Sequence, residues 1–306
     1  MHKLLLLFLI TSTVIFAEVI TPIPEVKSYD KAKVALGKKL FFDTSFSQDG
    51  MISCASCHND FGSDKRAVSV GVYGKKGLIQ SMSVFNAVNN YRQFWNGRAA
   101  NLEEQIDGPV HTTFEMGMST QSIEKYLNSS KEYQQLFKKV YNQTPGYKLF
   151  KEAIVAFEET LLTPNSRFDK FLKGEGSLTQ LEKDGFNSFK DHGCIACHNG
   201  VNIGGNSMQM FGNVIAYPYV ENQPDLYAIT KKEMDKNVFK VPSLRNISKT
   251  SPYFHDASAN TLEAAVMKMS HYNLGIILEN KEIKAIVAFL KTLDGDIPKT
   301  WNHDVK

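Results

Sequence analysis

Cys54-Ala55-Ser56-Cys57-His58 and Cys194-Ile195-Ala196-Cys197-His198 contain all four cysteines of this 306-residue chain. Two thiols three positions apart, with an imidazole directly after, read as c-type haem attachment. The thiols add to the two vinyl groups on one porphyrin edge. The His one step on, in the same turn, aims its imidazole at the iron. Other uses of the four thiols fit less well. A thioredoxin-like redox pair needs a strand-to-helix context that the surrounding pattern lacks. Disulfides would give neither His a role. A single zinc site made from both pairs would waste both His.

A haem iron also has a second axial position. His2, His111, His192, His255, His271 and His303 remain after the two motif histidines. His2 lies in the leading apolar segment, which leaves five His and several Met. Met269 sits on an apolar helix face with Leu262, Ala265 and Val266, and Met208, Met210 and Met267 compete with it. A Met/His pair would raise the potential of that haem relative to bis-His ligation.

The elements that must hold these groups are mostly helices. Phe150, Ile154, Phe157 and Leu161 share one face. Ile123, Tyr126 and Leu127, then Tyr133, Leu136, Phe137 and Val140, do the same across a break at Asn128-Ser129-Ser130. Thr179 with Glu182 reads as a capping box opening a helix to Phe189. Ile283, Ile286, Val287 and Leu290 form a late helix with Asn280 as its expected cap. Strand-like alternation is scarce, so a mainly α fold is expected. Long loops at 43–53, 59–80 and 199–225 are the kind that wrap a ligand. A domain boundary is expected at Leu162-Thr163-Pro164-Asn165 or at Lys173-Gly174-Glu175-Gly176-Ser177. Gly37 and Phe41 precede the first CxxCH as Gly185 and Phe189 precede the second, a faint internal repeat. Asn59 and Asn199 follow the two motifs.

Composition excludes several classes. With 42% hydrophobic and 22% charged residues, the chain has enough apolar side chains for two cores and is not disordered. Lys plus Arg is 35 against 32 Asp plus Glu, interleaved throughout, so no nucleic-acid partner is implied. Lys3, the apolar run Leu4 to Ile10 and a second run Val14 to Phe16 ending at Ala17 read as an export signal over 1–17, cleaved near Ala17. No later segment is apolar enough to span a membrane. The processed protein is therefore expected in the periplasm.

Six segments together resemble the bacterial di-haem cytochrome c peroxidase family. They are Ser53-Cys-Ala-Ser-Cys-His58, Gln93-Phe-Trp-Asn-Gly-Arg-Ala99, Glu115-Met-Gly-Met118, Gly193-Cys-Ile-Ala-Cys-His-Asn-Gly200, Phe239-Lys-Val-Pro-Ser-Leu-Arg-Asn246 and Ser251-Pro-Tyr-Phe-His-Asp256. The ending Ile286-Val-Ala-Phe-Leu-Lys-Thr-Leu293 is similar too. The resemblance implies two cytochrome c-like helical domains, 18–162 and 163–306, each with one covalent haem c, and a C-terminal tail that can pack on the first domain. It implies a homodimer and a calcium ion between the domains. The first haem, on Cys54, Cys57 and His58, would reduce hydrogen peroxide. The second, on Cys194, Cys197 and His198 with Met269 as distal ligand, would receive electrons from a small cytochrome c or copper protein. Trp95 would lie between the haems, and Glu115 and Gln105 would line the peroxide pocket. His255 is a candidate haem contact.

The sequence departs from the family in the loop after the first motif. Many relatives carry there a His that ligates the first iron in the resting enzyme. Val72 stands at the matching position, and residues 59–110 contain no His. The first iron is therefore expected to be unblocked, with Tyr73 as the nearest alternative ligand and His111 near Glu115. Gln80 stands where an Asn supplies a calcium ligand, with the Thr250 and Pro252 carbonyls as the remaining protein ligands. Two other functions share these features. One is a related di-haem oxidase acting on a partner protein, which has Tyr where Met269 stands. The other is a di-haem carrier or redox sensor without turnover.

Overall fold

The computed structural model describes residues 19–25 and 28–301. The expected export segment, 1–17, lies outside them. The chain is mainly helical. Helices α1 (Lys31–Phe42) and α2 (Cys54–Cys57) precede α3 (Leu102–His111), α4 (Thr120–Ser129), α5 (Lys131–Tyr141) and α6 (Tyr147–Glu158). Then come α7 (Arg167–Leu172), α8 (Gln180–Asp191), α9 (Tyr227–Thr230), α10 (Leu262–Met269) and α11 (Asn280–Lys291). A short antiparallel pair, β1 (Met208–Met210) and β2 (Val238–Lys240), sets Met208 opposite Lys240.

Local chemistry explains the helix ends. The Asp30 carboxylate accepts from the Ala32 and Lys33 N–H groups and opens α1. Ser130 ends α4 and caps α5, accepting from Tyr133 N–H at 3.3 Å. The Thr179–Glu182 capping box opens α8, which continues two residues past Phe189 to Asp191. The cap of α11 is Glu279 rather than Asn280. The Glu282 carboxylate accepts from Glu279 N–H at 2.8 Å, so the reciprocal box fixes the start one residue early.

Two large apolar cores form, and a smaller cluster joins Trp95 to Phe211 and Phe239. The first gathers Leu36, Leu40, Phe41, Phe46, Ile123, Leu127, Tyr133, Phe137 and Phe150, among others. The second gathers Phe168, Phe189, Leu262, Ile283, Ile286, Phe289 and Leu293. Each is built on one close helix crossing. A methyl group on Gly37 of α1 would run into the carbonyl oxygen of Ala153 on α6. One on Gly185 of α8 would run into that of Ala285 on α11. Four residues after each glycine, Phe41 and Phe189 face the motif histidines, each ring 6.4 Å from its imidazole. The repeat seen in the sequence is thus a packing device used twice.

The chain ends are exchanged between the cores. Ile20 is buried in the second core, and the Thr21 carbonyl accepts from Arg245 at 3.0 Å. Trp301 is buried in the first, stacked on Phe157 and edge-on to Phe85 and Phe41. Between the cores, the Thr163 hydroxyl accepts from the Asn86 and Asn246 side-chain amides at 2.8 Å each. Gly185→Ala and Gly37→Ala are each expected to cost about 1–3 kcal/mol or more, because backbone cannot yield as a side-chain tip can. A thermal melt that matches wild type would mean that the helices separate freely.

Candidate functional site

Each CxxCH borders its own cavity. Cys54, Cys57 and His58 line the first, and Cys194, Cys197 and His198 line the second. In both motifs the His N–H donates back to the first Cys carbonyl, at 3.1 Å for His58 and 3.0 Å for His198. The first motif forms the short helix α2, where Ser56 Oγ accepts from Ser53 N–H at 3.0 Å. The second forms a tighter turn over Cys194–Ala196.

The donor chemistry fits haem. His58 Nδ1 lies 2.8 Å from the Gly62 carbonyl, which fixes its proton there and leaves Nε2 for a metal. Burial pushes the His58 pKa down, keeping the ring in the neutral form that an iron needs. His198 is pushed down to about 4 by burial. The backbone of Ile203 and Pro242 beside its ring opposes that shift, although Nδ1 makes no hydrogen bond in full geometry. Desolvation raises the Cys57 and Cys194 thiols to about 11, and Cys54 further still. Thiols so far from ionising are not a redox pair. Among the described residues no three His, Cys, Asp or Glu side chains converge on a metal-sized point.

The first cavity also receives Glu115, Gln105, Trp95, Arg98 and Pro109. Gln105 and Pro109 come from α3. Glu115 comes from the turn after it, where its N–H donates to the Thr112 carbonyl at 3.0 Å and its carbonyl accepts from Val72 N–H at 2.8 Å. Gly71 is obligatory there, since a Cβ would strike the Phe114 and Glu115 backbone. Burial raises the Glu115 carboxyl above the usual range, and the Arg98 guanidinium partly offsets it. Arg98 lies over the Phe94 ring at 3.3 Å.

The second cavity receives Met269 and Met210 along with His198. Met267 is 47% exposed and does not line it, and Met208 packs against Gly97. Trp95 belongs to the wall that both cavities share, its indole N–H donating to the Gln80 carbonyl at 2.9 Å. His255 lines the second cavity next to Trp95, stacked on Phe239 at 4.1 Å with the Trp95 ring edge-on. Gln80 reaches Pro252 across the domains, with Nε2 donating to its carbonyl. Thr250 borders the second cavity beside Pro252. Calcium would require that amide to turn over so that Oε1 faces the same point.

Two side chains do not reach the first cavity. Tyr73 is 61% exposed, its N–H held by Asp49 at 2.7 Å, and its ring points away. His111 is at the surface, with Nδ1 2.8 Å from the Met118 carbonyl and Nε2 3.3 Å from the Tyr147 hydroxyl. Val72 is fully buried.

A second internal repeat was hidden in the loops. Gln93 pairs with Ala99 and Tyr253 with Ala259 as matching bridges, with Phe94 and Phe254 both at positive φ. Asn86 and Asn246, both left-handed, each precede a short turn. The shift between the copies is 160 residues. Carried along α3 and α10, it puts Pro109 where Met269 stands. One cavity therefore has a thioether at this position and the other a side chain with no donor atom.

The comparisons agree with this duplication. Residues 31–177 match the family model described as di-haem cytochrome c peroxidase, and residues 182–294 match that of cytochrome c. A cytochrome c551 peroxidase of Nitrosomonas europaea is 44% identical over 92% of this chain and 85% of its own length. One from Pseudomonas aeruginosa is 41% identical over 86% and 79%. The chain belongs to the di-haem cytochrome c peroxidase family. Two c-type haems follow, one for each motif. Among solved structures, a MauG-like protein associated with microbial copper homeostasis superposes with a TM-score of 0.81 at 26% identity, covering 95% of this chain and 97% of that one. Among the described residues of this peroxidase, no helix is long and apolar enough to cross a membrane.

Sequence reasoning missed three residues of these walls: Pro109, Lys240 and Glu158. Glu158 carried a readable signal, since it follows Ile154 by four positions on the apolar face of α6. It is 5% exposed, lines the first cavity, and has a carboxylate oxygen without a partner. Burial alone raises its pKa to about 8 from 4.5. The unfolded chain ionises this group first, so its effect is absent below about pH 4.5 and stability falls as pH rises toward 8. Glu158→Gln should therefore match wild type in denaturant unfolding at pH 4.5 and gain roughly 3 kcal/mol over it at pH 7. Equal curves at pH 7 would mean that the carboxylate finds a partner in the haem-loaded protein.

Proposed function

We propose that this peroxidase works in the periplasm and converts hydrogen peroxide, two electrons and two protons into two waters. A small cytochrome c or a copper protein supplies the electrons at the second haem, with Met269 as its distal ligand. The observation that carries this reading is the pairing of Glu115 and Gln105 with His58 around one cavity whose α3 wall presents Pro109. A carboxylate and an amide at a position lacking a protein ligand make a place for a small polar substrate.

Haem supplies the iron that binds and reduces peroxide. The chain's own residues do the rest. Glu115 would take the proton from one peroxide oxygen and return it to the other, making the second a good leaving group. Gln105 orients the peroxide by hydrogen bonding. The Arg98 guanidinium beside Glu115 favours its ionised form, against the larger opposing effect of burial. Trp95, in the wall common to both cavities, shortens the path for electrons between them. A calcium ion on Gln80, Thr250 and Pro252 would brace that wall, and a homodimer would complete the assembly.

Glu115→Gln is expected to lower peroxide turnover by about 10²–10⁴-fold in an assay with a reduced small cytochrome c. Because the base form is required and its pKa is raised, the wild-type acid limb should lie above the ordinary glutamate range. That limb should vanish in the variant, and undiminished turnover would refute the assignment.

The Val72 loop supports an unblocked first iron. Val72 is buried and bonded to the Glu115 backbone, and neither Tyr73 nor His111 reaches the cavity. Electron paramagnetic resonance of the fully oxidised protein should show a high-spin haem beside a low-spin one. Two low-spin signals would mean that some other side chain caps the first iron.

A further inference from the structure

The second cavity contains a charge with no counterpart. Lys240, the last residue of β2, is 1% exposed, and its ammonium has no hydrogen-bond or ionic partner. It lines the cavity that His198 and Met269 share. No Asp or Glu among the described residues lines that cavity. The other cation there, Arg245, is fully committed. It pairs with Asp169 at 2.7 Å, both side chains wholly buried, and donates to the Val201 and Thr21 carbonyls at 3.0 Å each. Position is not an accident of a loose side chain either. The Lys240 N–H donates to the Trp95 carbonyl at 2.6 Å, and β2 is pinned in register with β1.

A buried ammonium without a partner costs several kcal/mol. Burial accordingly pushes its pKa down to about 8, with no acid nearby to oppose the shift. Since no protein carboxylate borders the cavity, the anion must arrive with the ligand. Haem has two anionic groups, its propionates, and is otherwise apolar around its edge.

We propose that the Lys240 ammonium is the counter-ion of a propionate of the haem attached at Cys194 and Cys197, and that it raises the reduction potential of that haem. This rests on the reading of the second cavity as a haem site. A cation beside a propionate cancels negative charge near the iron. Removing it favours the ferric, more positive state, so the potential falls. Lys240 is a positioning and tuning residue and takes no part in the chemistry of peroxide.

The test is a spectroelectrochemical titration of the di-haem protein in wild type, Lys240→Met, Lys240→Arg and the exposed control Lys284→Met. At fixed ambient potential, Lys240→Met should lower the reduced-to-oxidised ratio of the second haem about tenfold, which is ~59 mV for one electron. Lys240→Arg should stay within about threefold of wild type, and Lys284→Met should match it. A Lys240→Met ratio within about twofold of wild type, with both haems loaded, overturns the proposal. So does a wild-type potential that moves when chloride is replaced by phosphate at constant ionic strength, because the lysine would then hold a free anion. If Lys240→Met does not load haem, resonance Raman of the reduced wild type decides. The propionate bending band should shift on exchange into heavy water, and an unshifted band overturns the assignment. A wild-type protein lacking the second haem's absorption would instead sink the underlying reading.

Discussion

Two helix crossings too tight for a side chain set the geometry of both halves. At Gly37 and Gly185 the backbones of α1 and α8 rest directly on α6 and α11. One turn farther along, Phe41 and Phe189 are thereby delivered to the motif imidazoles at matching distances. A CxxCH motif is a flexible loop when free. Here each is pressed against a large aromatic ring whose position is decided by a glycine four residues earlier. The imidazole and the core are thus placed by a single contact in each half. The halves are then joined by the Thr163 hydroxyl between two asparagine amides, by the exchanged side chains Ile20 and Trp301, and by an apolar cluster of Trp95 with Phe211 and Phe239.

Duplication explains how one scaffold carries two differently lined cavities. The matched bridges at Gln93–Ala99 and Tyr253–Ala259 orient α3 and α10 alike over their cavities. Function then turns on a few positions in a common frame. Pro109 against Met269 decides whether the helix offers a donor atom. Trp95 and its counterpart His255 meet edge-on, 6.2 Å between ring centres. Glu115 comes from the turn after α3, whereas after α10 the chain widens into a loose turn over Ser270–Leu274.

Much of this was legible in the residues. Helix faces such as Phe150, Ile154 and Phe157, and the Thr179–Glu182 box, depend on neighbours within a turn or two, which local pattern records. The CxxCH chemistry is local in the same sense. What stayed hidden depends on contacts across long separations. Nothing near Ile20 says which core receives it. Nothing near Tyr73 says that Asp49 will hold its backbone and turn the ring outward. The α11 cap was misplaced by one residue because Asn280 is a good cap by type, while the reciprocal bond between Glu279 and Glu282 is the stronger arrangement. Pro109 was within reach of the sequence, through the 160-residue shift, but that repeat lies in loops where apolar periodicity is silent.

The two buried groups that local pattern passed over differ in sign. Glu158 faces the first cavity with a carboxylate oxygen that has no partner, and Lys240 faces the second, which no carboxylate lines, with its ammonium unpaired. Neither can be a contribution to stability in the empty chain, since each removes a charge or a polar oxygen from water with nothing in return. Their placement makes sense only against the groups the cavities hold. The proposed pairing of Lys240 with a propionate makes the second haem easier to reduce, as a site of electron entry requires, and an ionised Glu158 acts in the opposite sense at the first.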